Sequence, residues 1–246
     1  MINFNKIAKD YHSKRRKPWR PLEFFLNHLK KIGYLFTGTN LDLGCANGRN
    51  FKILGVYPRK LIGIDLSLEF LKIARESLTD NNQYSELEST FIQIILGDIK
   101  HLPIRPNSID NIFSIATIHH IKNKSERKKS LIEFNNSMKK KGYLILTVWR
   151  KWQKEYRGYF FLDWLKRNLS RKHKREKKNN GLEEYGDKYV PWTDSQEKET
   201  YNRFYHFFSK HEIKKLLKIF EIKDFKIMGG PGNRDNFFIL AQKSNN

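Results

Sequence analysis

Short apolar runs separated by polar stretches of helical length set the pattern of this chain. Leu41 and Leu43 flank Asp42 like a short buried strand, and similar runs recur at residues 61–64, Phe91–Leu96, 109–118 and 142–149. Between them, residues 50–54, 68–77 and 124–138 carry helical spacing. Ser67 is placed to cap the second of these, with Leu68, Leu71 and Ala74 inward. Upstream, Phe4, Ile7, Ala8 and Tyr11 share one helical face, and Pro21 opens a helix that buries Leu22, Phe25, Leu26 and Leu29. This alternation of strand and helix predicts a parallel sheet covered on both faces.

The alternation stops after Trp149. Residues 150–199 read as an insertion, flexible in its middle, where residues 166–178 are nearly all basic and follow the aromatic stretch 159–165. Order returns at residues 201–208, and Ser209 caps a helix expected to run through Phe220. Residues 225–228 and 237–241 read as an antiparallel pair joined by GGPGNRDN.

The chain is organised around residues 40–50, NLDLGCANGRN. Gly44, Cys45, Ala46, Asn47 and Gly48 form a small-residue turn after a strand, which lets backbone N–H groups approach a ligand closely. A second apolar run, LIGIDLS, ends in Asp65 about 20 residues downstream, where a carboxylate accepts both hydroxyl protons of a ribose. The spacing fits neither the dinucleotide G-x-G-x-x-G nor the phosphate-loop G-K-[ST].

This pair of features resembles the class I S-adenosylmethionine-dependent methyltransferases, whose first motif is an acidic residue, a hydrophobic residue and Gly-x-Gly-x-Gly. Here it stands as Asp42 to Gly48, with Ala46 for the middle glycine. The resemblance implies a Rossmann-like α/β fold. Its seven-stranded, mostly parallel sheet has the order 3-2-1-4-5-7-6, helices cover both faces, and the basic insertion follows the fifth strand. It implies one methyltransferase domain over residues 1–246. It also implies an S-adenosylmethionine site made by Asp42, Gly44, Cys45, Ala46, Gly48, Asp65, Leu66, Asp98, Ile99 and Ala116. Asp98 sits where the superfamily places an acidic residue for the adenine amino group. Arg15 and Trp19, in a basic aromatic turn before the first strand, complete that set.

Further stretches resemble the tRNA wobble-uridine methyltransferases, which esterify 5-carboxymethyluridine at the first anticodon position. They are Arg15 with Lys17-Pro18-Trp19; Asp42 to Arg49; His119-His120; Val190-Pro191-Trp192; Arg203-Phe204-Tyr205-His206; and Arg234-Asp235-Asn236. The sequence departs from the family at Ala46, Arg49, Phe204 and the phenylalanines after Asn236. Methyl transfer to a carboxylate needs no strong base, because the acceptor is already ionised at neutral pH. The site must instead hold an anion, and His119, His120, Arg203, His206 and Arg234 are the candidate catalytic residues. The resemblance implies a tRNA anticodon arm as substrate. It also implies a small zinc-binding activator subunit that pairs with Phe91–Leu96, apolar on both faces at a presumed sheet edge.

Composition bears on the partner. With 48 Lys and Arg against 26 Asp and Glu, the formal charge is +22, which favours nucleic acid over an anionic membrane surface. A general lysine bias would raise the charge as well, so clustering at residues 14–17 and 166–178 carries more weight than the total. The single cysteine, Cys45, excludes an internal disulfide and a zinc site made by this chain alone. The N-terminal residues lack a signal-peptide core and no run reaches membrane-spanning length, which points to a cytoplasmic protein without a membrane partner. Two other readings share the cofactor loop: a small-molecule methyltransferase of quinone type, and a nucleic-acid-binding protein with a vestigial cofactor fold.

Overall fold

Seven strands form the central sheet of the computed structural model, which describes residues 4–56, 60–79 and 90–244. β1 (Thr39–Leu43), β2 (Lys60–Asp65), β3 (Phe91–Leu96), β4 (Ile109–Ile115) and β5 (Met138–Trp149) run parallel to one another. Two further strands, β8 (Phe220–Met228) and β9 (Asn236–Lys243), complete the order β3-β2-β1-β4-β5-β9-β8, with β9 antiparallel to both neighbours. That is the expected order, with β9 and β8 in the places of the seventh and sixth strands of the sheet.

Both faces are covered because the central strands are apolar on both sides. One face packs Leu41, Leu43 and Ile112 against Leu131 and Phe134 of α5 (Lys124–Ser137) and Ile213 of α8 (Lys210–Leu216). The other packs Phe113, Ile145 and Phe238 against three helices. These supply Leu22, Phe25 and Leu29 of α2 (Arg20–Lys31), Phe51 and Leu54 of α3 (Phe51–Leu54), and Leu71 and Ala74 of α4 (Leu68–Thr79). Ser67 caps α4, accepting from the N–H of Phe70 at 3.2 Å. Leu68 turns outward rather than in; Phe70 takes the buried position and meets Tyr11 of α1 (Ala8–Lys14) edge-on.

Several boundaries differ from the sequence reading. β5 starts at Met138, which pairs with Ile109; residues 139–142 bulge opposite Asp110, and regular pairing resumes at Tyr143 with Asn111. β4 ends at Ile115, and Ile118–His120 forms a 3-10 turn. The helix capped by Ser209 stops at Leu216, and β8 begins at Phe220, where apolar and charged residues alternate with strand period.

The segment expected to be flexible forms α6 (Arg157–Leu169) and α7 (Arg171–Asn179). Buried Asp163 draws the basic run inward: its carboxylate accepts from Arg167 at 2.8 Å and His173 at 3.0 Å, with Lys177 at 3.6 Å. A ribbon of β6 (Asp187–Thr193) and β7 (Thr200–His206) follows. Phe160, Val190, Tyr205 and Phe207 make a third core cluster here, with Trp149 and Tyr156 packed against it. Among the described residues no helix is long and apolar enough to cross a membrane.

Candidate active site

A cavity of about 970 Å³ opens above the carboxyl ends of β1, β2, β4 and β5. This is the crevice where open α/β sheets bind ligands. Its floor is the turn after β1. Gly44 (φ 76°) and Ala46 (φ 49°) are both left-handed, and a Cβ on Gly44 would run into the Thr117 side chain. Ala46 tolerates this conformation because its N–H donates to Asp65 Oδ2 at 2.9 Å. Asp65 Oδ1 accepts from the N–H of Ser67 at 2.9 Å, so one carboxylate ties the two strand ends together. Burial pushes Asp65 above the ordinary carboxylate range, partly offset by these backbone donors.

Of the residues singled out in the sequence, Arg15, Trp19, Gly44, Cys45, Ala46, Asp65, Leu66, Asp98, Ile99, Ala116, His119, His120 and Arg203 line the cavity. Four do not. Asp42 is buried inside β1, and burial together with the charge of Asp65 pushes its carboxyl up to about 7. Gly48 (φ 70°) answers to packing rather than to a ligand, since a Cβ there would stand 2.7 Å from the Phe51 ring. His206 is fully buried and sends Nδ1 to Asp187 at 2.7 Å and Nε2 to Glu212 at 2.8 Å. Glu184, Asp187 and His206 bring ligand-type atoms within 4.8 Å of one another, but both His206 nitrogens are spent on Asp187 and Glu212. His206 thus fastens β6 and β7 to the capping turn of α8. Arg234 is exposed on the β8–β9 loop, which turns Gly230, Pro231, Asp235 and Asn236 toward the cavity instead.

The paired histidines differ in proton placement. His120 Nδ1 lies 2.9 Å from the Phe204 carbonyl oxygen, which only accepts, so Nδ1 carries the hydrogen. His119 Nδ1 accepts from the N–H of Trp149 at 3.4 Å, which leaves its hydrogen on Nε2. Burial holds both rings neutral, His120 at about 4; the neighbouring His120 and then Arg203 add to it at His119, and Arg203 does so at His120. Arg203 is 8% exposed. Its guanidinium sits 4.7 Å from the Trp192 ring centroid and 5.2 Å from that of Tyr205, and its Nε has no hydrogen-bond partner. Among the described residues no carboxylate forms an ion pair with it.

Two groups of lining residues escaped the sequence reading as site residues. Phe4, Ile7 and Tyr11 roof the cavity; their shared apolar face was visible, but its target was not. Asp10 anchors that roof, accepting from Lys14 (2.6 Å), Trp192 Nε1 (2.7 Å) and the Ser195 N–H (3.0 Å). Lys14 also reaches the Thr193 carbonyl oxygen. Of the basic turn 14–17, only Arg16 and Lys17 thus remain in solvent without a described partner. Trp149, Tyr156 and Tyr205 form a wall of stacked rings, with Trp149 4.3 Å from Tyr205 and 6.3 Å from Tyr156.

The chain is similar to known proteins in sequence and in fold. The family model of a methyltransferase domain matches residues 41–146. The chain is 29% identical to the tRNA (carboxymethyluridine(34)-5-O)-methyltransferase of Schizosaccharomyces pombe, over 98% of this chain and 94% of that protein. It is 30% identical to the protein of the same name from Arabidopsis thaliana over 62% of this chain, spanning 33% of that longer protein. An S-adenosylmethionine-dependent methyltransferase from Methanosarcina mazei superposes with a TM-score of 0.66 at 22% identity, covering 87% of this chain and 96% of that one.

Proposed function

We propose that this chain, a class I S-adenosylmethionine-dependent methyltransferase, esterifies the carboxylate of 5-carboxymethyluridine at the wobble position of tRNA. The observation that carries the reading is Arg203, a buried guanidinium with an unpartnered Nε, beside two neutral histidines in the cofactor cavity. A buried cation without a carboxylate is costly unless a ligand supplies the anion.

S-adenosylmethionine fits the site: Gly44, Cys45 and Ala46 bring the turn to the cavity, and Asp65 presents a buried carboxylate beside it. When bound, it supplies an electrophilic methyl group on a sulfonium. Asp65 accepts the ribose hydroxyls, Asp98 and Ile99 take the adenine end, and Arg15, Trp19, Leu66 and Ala116 close around it. Arg203 and the Nε2–H of His119 hold the acceptor carboxylate. His120, whose hydrogen is spent on Phe204, orients the β7 backbone rather than donating to substrate. The wall of Trp149, Tyr156 and Tyr205 excludes water and offers ring faces to the uracil. Most of the acceleration then comes from positioning and desolvation of an anion that is already nucleophilic.

The same reading gives β3 a partner. β3 pairs only with β2 among the described strands, and Phe91 (63%) and Leu96 (54%) are exposed along it. A small zinc-binding activator subunit adding a strand at this edge would cover both, and the cytoplasm is where the complex would meet tRNA. The test is transfer of label from S-adenosylmethionine to tRNA followed by mild alkali. A methyl ester releases the label as methanol, whereas label that survives alkali sits on nitrogen, carbon or ribose oxygen and contradicts the assignment.

A further inference from the structure

α6 separates its residues sharply. Phe160 joins the third core cluster and Asp163 is buried beneath α7, while Phe161 (52% exposed), Leu162 and Trp164 (49%) face solvent. The rings of Phe161 and Trp164, one turn apart, lie near-parallel with centroids 6.4 Å apart and 29° between planes. Large apolar groups exposed together mark an interaction surface. α7 is sorted in the same way. His173 and Lys177 turn inward to Asp163 and the Tyr159 hydroxyl, and Lys178 reaches Glu183. Arg171, Lys172, Lys174 and Arg175 face outward, and among the described residues none of them has an ion-pair partner.

Position links this face to the cavity. α6 starts one residue after Tyr156, which lines the cavity wall. At about 1.5 Å per residue, Trp164 lies about 12 Å along the helix from it. The shelf is therefore near enough for a single strand that has one nucleotide held in the cavity to reach it. Bases stack on aromatic faces without regard to sequence, and lysines and arginines take the phosphates.

We propose that the outer face of α6 and α7 binds the anticodon-loop nucleotides flanking the target uridine. A base stacks on the Phe161–Trp164 shelf, and phosphates lie against Arg171, Lys172, Lys174 and Arg175. This rests on the tRNA reading above and adds to it the surface that selects a loop over a duplex. An apolar face beside basic residues also suits an anionic lipid surface. Nearness to the substrate cavity and the paired ring faces favour RNA.

The test uses the full chain and two variants, Phe161→Ala with Trp164→Ala, and Lys172→Glu with Arg175→Glu. All four side chains are exposed, and unchanged thermal unfolding and S-adenosylmethionine affinity confirm that the fold is retained. The probes are a labelled anticodon stem-loop, a blunt RNA duplex of equal length, and phosphatidylserine vesicles. The shelf variant is expected to lose at least fivefold in affinity for the stem-loop and to bind the duplex unchanged. The charge variant is expected to weaken on both RNAs and to flatten the salt dependence. Stem-loop affinity equal to that of the unaltered protein in both variants overturns the assignment. So does loss of vesicle binding with RNA binding intact, which makes this face a membrane surface. If the unaltered protein binds none of the RNAs, the tRNA reading falls and this assignment with it. RNA binding that responds to the variants, without any methyl transfer, overturns the reaction alone.

Discussion

His120 Nδ1 donates to the carbonyl oxygen of Phe204 across 2.9 Å, joining the 3-10 turn after β4 to the ribbon strand β7. The bond fixes the tautomer and places Arg203, the residue before Phe204, against the cavity. It also has a pH signature. Burial holds His120 at about 4, below the ordinary histidine value near 6.5. The unfolded chain therefore binds this proton first as pH falls, so stability decreases from about pH 6.5 down to about pH 4. Urea unfolding of the unaltered protein and of His120→Gln, compared at pH 7 and pH 5, should show the variant losing less on acidification, by about 2 kcal/mol. Equal losses would mean that His120 is charged in the folded protein.

Asp65 sits at the joint of the two cofactor-loop strands. Asp65→Ala is expected to weaken S-adenosylmethionine binding at least tenfold, about 1.4 kcal/mol. Calorimetric titration checks this, and unchanged affinity removes the ribose contact.

Arg203 carries the acceptor assignment. Arg203→Leu should lower kcat/KM for tRNA by about a hundredfold, roughly 2.7 kcal/mol, and leave S-adenosylmethionine affinity within twofold. Arg203→Lys keeps the charge but loses the planar fork, and should fall between the two. Full activity in the leucine variant would place the carboxylate elsewhere.

For the β3 edge, the informative positions are Phe91, Gln93 and Leu96, because Ile92 and Ile94 pack on this chain's own core. Gln93→Pro with Phe91→Lys should abolish co-purification with the proposed activator subunit and leave cofactor affinity unchanged. Retained co-purification would move the partner to another face.

The parallel strands and the cofactor turn were legible because they rest on local signals: apolar runs of strand length, a small-residue turn and an acidic residue at the next strand end. The order of the strands in the sheet came only with the family resemblance that those signals carry. Ser67 and Ser209 were readable as caps for the same reason. What escaped the sequence depended on contacts distant along the chain. Residues 166–178 read as solvated charge because nothing local announces Asp163 as their buried partner. His206 looked like a site residue from its neighbours Arg203 and Tyr205. Strand alternation gives Arg203 and Tyr205 one face of β7 and His206 the other, where Asp187 and Glu212 claim it. Asp42 and Gly48 belong to the motif that makes the loop, and their work is inside it: one is buried in β1 and the other makes room for Phe51.

The most direct test of the central claim is nucleoside mass spectrometry of an anticodon stem-loop carrying 5-carboxymethyluridine at the wobble position. The RNA is incubated with S-adenosylmethionine and the protein, both alone and co-expressed with the proposed activator subunit. The account predicts conversion of 5-carboxymethyluridine to its methyl ester in at least one of these preparations, and loss of that conversion in Arg203→Leu. Unconverted 5-carboxymethyluridine in both preparations, or a methyl group found on any other nucleoside of the stem-loop, would contradict it.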